Sequence, residues 1–287
     1  MIAKSKSHLG MWILPVFLIF ILGFIPHLEA ASLKIAATIL PVSDMVREIT
    51  GRETEIVTIL PPGANPHTFE LSPQLIKELD GSAVIFRIGK GFDGWIAGVS
   101  DNLPAIQLIE LNQGIQLVHG DPHYWLSIQN AKVMVGHIAK TLITIDPSNQ
   151  AKYQHNLNHY LQTLDQADQQ VRNKLSSLPQ KKIVTFHDGW CYFARDYGLE
   201  VAATVESSEG NEPTPKRLVQ LQNTIQNHRL HVLFTEPAVP KSLAHSIAED
   251  FNLIIVELDP FGIKDENKTF VNLMLHNADE IAKALNQ

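Results

Sequence analysis

The chain has one cysteine, Cys191, in 287 residues. No disulfide can form within it, so the fold must rest on packing rather than on cross-links. Cys191 lies in an apolar helical segment and reads as a buried, inert thiol. Basic charge is also scarce, with 23 Lys and Arg against 30 Asp and Glu and a net charge of −7. A mildly acidic chain is a poor partner for nucleic acid. The longest apolar run, Met11 to Ile25, is about 15 residues, short of the roughly 20 that span a bilayer as a helix. Hydrolytic signatures are missing as well: there is no His-Glu-x-x-His, no Gly-x-Ser-x-Gly and no convincing nucleophile–base pair. Low-complexity tracts and close internal repeats are absent.

What is present begins with a leader. Lys4 and Lys6 precede the apolar run, and Ala30 and Ala31 follow it. A basic start, a short apolar core and a small-residue exit predict a signal peptide over residues 1–30. Its removal takes Lys4, Lys6 and Glu29 and makes the mature chain one unit more acidic. No cysteine stands at the leader's exit, so the expectation is a periplasmic protein that is not a lipoprotein. Composition is 45% hydrophobic and 18% charged. That is globular, and the length suffices for two ordinary domains.

The mature chain alternates strand and helix. Strand-like segments are predicted at Leu33–Leu40, Glu53–Leu60, Ala83–Ile88 and Ala105–Leu111, with helices between and after them. Ser72-Pro73 is a helix start, a capping hydroxyl followed by proline at the first helical position. Alternation resumes after Pro179, with strands at Ile183–Phe186, Val201–Val205, His231–Thr235 and Leu253–Leu258. Between the halves, Asp146-Pro147 reads as a cap and first turn. Apolar residues then recur at Tyr153, Leu157, Tyr160, Leu164, Ala167, Val171 and Leu175 in steps of three and four. The spacing predicts one helix over 147–178, roughly 45–50 Å long at 1.5 Å per residue. The fold class expected is α/β: two lobes, each a mainly parallel sheet flanked by helices, joined by one long helix. The division is residues 31–146, 147–178 and 179–287.

Four residues carry the chemistry: His67, His123, His187 and Asp259. Each follows a predicted strand, the edge at which open α/β sheets bind ligands. His67 sits in the rigid loop Asn65-Pro66-His67, and His123 in Asp121-Pro122-His123-Tyr124-Trp125. His187 ends the apolar strand Ile183–Phe186, and Asp259 ends Leu253–Leu258 ahead of Pro260. Alone, each reads as readily as a loop or capping residue. Together, three imidazoles and a carboxylate make a closed, four-coordinate site suited to zinc. His119 competes with His123 within one loop. His155 and His159 have metal-binding spacing but fall opposite the apolar stripe of the long helix, where a solvated face is expected. Glu236 ends a strand at the same edge and reads as a partner to the site or a structural acceptor.

These segments resemble one family. Asn65-Pro66-His67, Asp121-Pro122-His123-Tyr124-Trp125, the Asp146-Pro147-x-Asn149-x-x-x-Tyr153-x-x-Asn156 helix opening, and His187 with Tyr192-Phe193 and Tyr197-Gly198 are similar to the zinc/manganese-binding solute-binding proteins of bacterial ABC transporters. The resemblance covers essentially the whole mature chain. It implies a monomeric extracytoplasmic receptor, not an enzyme, that delivers a divalent metal to an ABC permease with its ATPase. It also implies that His67, His123, His187 and Asp259 ligate the ion. Two departures stand out: the segment before His123 is short, where many zinc members carry a long His- and acid-rich loop, and the disulfide of some zinc members is impossible. His187, a glutamate in many manganese members, argues for Zn2+ as cargo over Mn2+, because neutral nitrogens suit zinc better. A manganese or iron receptor, a secreted zinc hydrolase and a surface adhesin are the competing functions.

Overall fold

Parallel pairing organises the chain twice. In the computed structural model, β1 (Ile35–Ala37), β2 (Ile56–Thr58), β3 (Val84–Arg87) and β4 (Gln107–Glu110) form a parallel sheet in the order β2-β1-β3-β4. The strands β5 (Lys182–Thr185), β6 (Glu200–Thr204), β7 (Val232–Thr235) and β8 (Ile254–Glu257) form a second, in the order β6-β5-β7-β8. Both orders reverse direction once, between β1 and β3 and between β5 and β7. Such reversals open a crevice at the carboxyl edge. The structure describes residues 33–89, 91–206, 213–264 and 268–286, together with Ile2. The leader expected over residues 1–30 therefore lies, Ile2 apart, outside the described residues. Among the described residues no helix is long and apolar enough to cross a membrane.

Helices cover both sheets: α1 (Leu40–Thr50), α2 (Pro73–Leu79), α3 (Ala97–Asn102), α4 (Ile128–Ile145), α5 (Gln150–Ser176), α6 (Cys191–Tyr197), α7 (Pro215–His228), α8 (Lys241–Phe251) and α9 (Phe270–Leu285). Hydroxyl caps start several of them. Ser72 Oγ accepts the Leu75 N–H at 3.2 Å ahead of Pro73, and Ser127 does the same for Asn130 at 3.1 Å. Gly198 ends α6 in the left-handed conformation that glycine adopts without strain.

The long helix is entered by a 3-10 turn, Pro147–Asn149, and its α-helical part runs 27 residues, roughly 40 Å. It ends at Ser176, two positions before the expected Leu178. Asp146 stands at the cap position, but its carboxylate accepts side chains rather than backbone N–H groups: Ser148 Oγ at 2.6 Å, Asn149 Nδ2 at 2.7 Å and Tyr153 Oη at 2.6 Å. The apolar stripe faces inward, with Tyr153, Tyr160, Leu164, Ala167, Val171 and Leu175 buried. His155 and His159 are exposed, as the stripe predicts.

Three apolar clusters result. One holds a face of the first sheet under α2 and α3, with Ala36, Val57 and Ile85 at its centre. Another holds a face of the second sheet under α7 and α8, with Val184, Leu233 and Ile247. The third is continuous between the sheets and contains Ile35, Phe86, Leu164, Phe234 and Ile281. Through it α5 packs on α1 and α4 on one side and on α6 and α9 on the other. A polar tie crosses the same region, where Asp44 of α1 accepts the Phe270 N–H of α9 at 2.8 Å.

Candidate metal centre

Three imidazoles converge where the carboxyl edges of the two sheets meet. His67, His123 and His187 place one ring nitrogen each within 4.8 Å of the others. The Nε2 atoms of His123 and His187 are 3.2 Å apart. Two nitrogens on one tetrahedral zinc, each at about 2.0–2.1 Å, stand about 3.3 Å apart, so this pair already has the spacing a shared ion requires. His67 Nε2 is buried and has no hydrogen-bond partner. A buried polar atom in that state costs free energy unless something occupies the space before it.

Local sequence explains how each ring is aimed. Asn65 Oδ1 accepts the His67 N–H at 2.9 Å, and Asp121 Oδ1 accepts the His123 N–H at 2.8 Å. These are Asx turns, in which a short polar side chain closes on the backbone two residues on. Proline between the two residues fixes the turn. Asp121 does more. Its Oδ1 is 2.6 Å from His123 Nδ1, so the proton rests on Nδ1 and Nε2 is left as an acceptor facing His187. Tyr192 Oη donates to the Asp121 carbonyl at 2.6 Å, and Cys191 Sγ donates to Asp121 Oδ2 at 2.9 Å. Burial and Asp121 push the Cys191 thiol up, keeping it protonated and inert. Gly189 is the residue that sequence reasoning missed. A Cβ there would lie 3.2 Å from both the His123 and His187 rings. The signal was the glycine two residues after His187, where close approach of backbone to site needs no side chain.

Electrostatics favour the metal-binding form of His67 and His187. Burial lowers the pKa of His187 to about 3, with His123 and His67 adding to the effect. Burial, then His123, lowers that of His67. Neutral imidazoles are the species that ligate metal. Burial, the largest single influence, would raise the Asp121 carboxyl, but the bonds from His123 and Cys191 and the proximity of His123 together hold it below the ordinary value.

Asp259 is placed differently. It is fully buried at the end of β8 and is not a member of the three-histidine cluster. Its Oδ1 accepts the N–H groups of Phe261 at 3.0 Å and Gly262 at 2.8 Å, and its Oδ2 that of Ile263 at 2.9 Å. Asn277 grips its backbone on both sides, at 2.8 and 2.7 Å. Asp259-Pro260-Phe261 is thus a third Asx-Pro turn, and its third residue lines the cavity as His67 and His123 do. Phe261 stacks on Trp125 at 5.7 Å, and Trp125 Nε1 donates to the Pro260 carbonyl at 2.9 Å. Glu236, at the end of β7, lines the same cavity of about 270 Å³ as the three histidines. It is 8% exposed, and its Oε1 accepts the Trp190 Nε1–H at 2.8 Å. Burial pushes its carboxyl up to about 7, against the pull of His123 and Trp190. His119 is exposed and outside the cluster.

Comparison with known proteins places the chain in a family. Residues 35–284 match a family model described as ZnuA, zinc-uptake complex component A, periplasmic. A manganese ABC transporter substrate-binding lipoprotein, PsaA of Streptococcus anginosus, is 27% identical over 278 residues, 89% of this chain and 90% of its own length. A crystal structure of ZnuA is 30% identical with a TM-score of 0.80, covering 88% of this chain and 99% of the other. The solute-binding protein FpvC of Pseudomonas aeruginosa in complex with Mn2+ is 27% identical with a TM-score of 0.78, over 88% and 98%. One expectation is overturned. A relative alike along nine-tenths of its length is named a lipoprotein, so the localisation that ruled out lipid attachment does not stand. That exclusion rested on the leader, which lies outside the described residues.

Proposed function

We propose, because this chain belongs to the ZnuA family of metal-binding solute-binding proteins of ABC transporters, that it captures a divalent transition metal, Zn2+ first, outside the cytoplasm. It then hands the ion to a permease driven by an ATPase. The observation that carries the reading is the cluster of three imidazoles, one with its Nε2 buried and unpartnered. His67 and His123 follow the first sheet and His187 the second, so an ion bound by all three is held between the lobes. The proposed division is residues 31–146, a helix over 147–178 and residues 179–287, and the receptor is proposed to act as a monomer. Members of this family are substrate-binding proteins, and no catalytic role is assigned to any residue here.

Three nitrogen donors favour zinc over manganese, which prefers oxygen. Manganese is the second reading, supported by the relative named a manganese substrate-binding protein. Asp259 is the proposed fourth ligand, and the backbone N–H groups of 261–263 that its oxygens accept would orient it. The test strips the mature protein, reloads it with Zn2+ or Mn2+, and measures stoichiometry by mass spectrometry and affinity by chelator competition. One tight zinc per chain, lost in His67→Ala and His187→Ala, is expected. Stoichiometric preference for manganese overturns the assignment of zinc.

A further inference from the structure

We infer that Glu236 is a positioning carboxylate of this site: it adds a negative charge facing the bound cation and receives a water bound at the ion's open position. The inference rests on the metal-receptor reading and deepens it.

Topology puts Glu236 beside the ligands. β5 and β7 are the adjacent strands between which the second sheet reverses order. His187 leaves the end of β5 and Glu236 the end of β7, so the two flank the crevice where ligands of such sheets bind. Both line one cavity with His67 and His123. Glu236 is not among the groups whose ligand atoms cluster within 4.8 Å, so it stands beside the three-histidine set rather than in it.

Charge makes the same assignment. Three neutral imidazoles bring no charge to a divalent ion, and an uncompensated buried charge is costly. Asp121 contributes one negative charge through the His123 ring. Asp259 keeps its charge while its oxygens accept the backbone N–H groups of 261–263, and that charge is felt at Glu236. Glu206 lines the cavity too but is only half-buried, whereas Glu236 is nine-tenths buried. A purely structural role for Glu236 explains little. Its hydrogen-bond partner among the described residues is one neutral donor, the Trp190 indole, which a glutamine would satisfy equally without burying a carboxylate. A buried carboxylate on a single neutral donor is the costly choice unless a cation arrives.

The experiment compares wild type, Glu236→Gln, Glu236→Asp and His187→Ala. Zn2+ affinity is read by competition with a chromophoric chelator, and metal-free stability by thermal unfolding at pH 8. The Gln variant is expected to bind zinc about 10–100-fold more weakly, the usual range for groups that act on a metal through its ligands. Its metal-free unfolding temperature is expected to be no lower than that of wild type. The Asp variant, which keeps the charge, is expected to recover most of the lost affinity. A Gln variant within threefold of wild type overturns the inference, as does an equal loss of affinity in Gln and Asp accompanied by lowered metal-free stability. A wild type that binds no zinc, or that matches His187→Ala, overturns the receptor reading and the inference with it.

Discussion

Asp259 and Glu236 leave the carboxyl ends of adjacent parallel strands, β8 and β7, and each is followed by proline. Both are buried, at 0% and 8% exposure. Yet Asp259 turns back and binds the backbone of its own loop, while Glu236 reaches over to Trp190 and faces the metal cavity. The difference follows from one methylene. An aspartate carboxylate reaches the N–H two residues on and closes an Asx turn, which glutamate does not do in the same way. In this molecule Asx-Pro turns aim the third residue at the site, and the Asx itself is the support. The comparison teaches that two carboxylates at neighbouring strand ends can be held by different partners, one by its own loop and one by a distant indole.

Replacing Asp259 should separate the two most sharply. Asp259→Ala strands at least three backbone N–H groups in a buried loop and is expected to cost about 3–5 kcal/mol of metal-free stability. Urea unfolding measures it, and Asp259→Asn, which keeps one acceptor, should lose only about 1–2 kcal/mol. A loss of zinc affinity in Asp259→Asn without loss of stability would make Asp259 a ligand.

The second effect is one of pH. The Glu236 carboxyl is raised in the folded state to about 7 from 4.5. The folded protein therefore binds more protons than the unfolded chain between those values. This group's contribution is fully present below pH 4.5 and is lost as pH rises through 7, on the order of 3 kcal/mol across the window. His187 has the opposite sign. Its folded value of about 3 lies below 6.5, so its contribution is present above 6.5 and is lost as pH falls toward 3. Denaturant midpoints of the metal-free protein from pH 4 to 8 should show the first slope vanish in Glu236→Gln while the second persists. An unchanged slope in that variant would break the contrast.

Asp121 is the intermediate case, an Asx-turn aspartate that also touches a ligand ring. Asp121→Asn is expected to weaken zinc binding by about 10–100-fold through the tautomer and orientation of His123. Competition titration reads this, and an affinity equal to wild type would remove Asp121 from the site. The smallest effect belongs to Gly189→Ala. Its new Cβ meets both rings at 3.2 Å, and a shift of a few tenths of an ångström relieves it. Zinc affinity should fall only a few-fold, about 1 kcal/mol, and a loss beyond a hundredfold would show the ring positions to be far less adaptable.

Most of this architecture was legible in the sequence. Hydrophobic runs bounded by Gly and Pro located all eight strands, and the three-and-four stripe located α5. The convergence of His67, His123 and His187 was legible because proline-bearing loops and a strand end leave few directions for an imidazole. The fate of Asp259 was harder, since strand position tells where a side chain exits but not how the loop curls back. Its signal was present in Asp259-Pro260-Phe261-Gly262, a turn sequence whose glycine takes a φ of 72°. Glu236 was weighed only as a partner because burial, which distinguishes it, depends on the distant Trp190 indole. The leader's expected consequence for lipid attachment failed because similarity to a named lipoprotein outweighs an argument from a missing cysteine.

X-ray absorption at the zinc edge of the loaded protein tests the central claim most directly. Three imidazole nitrogens at about 2.0–2.1 Å, with one further light ligand, is the result expected. A shell with fewer than three imidazoles, or one dominated by oxygen, would contradict a site built from His67, His123 and His187.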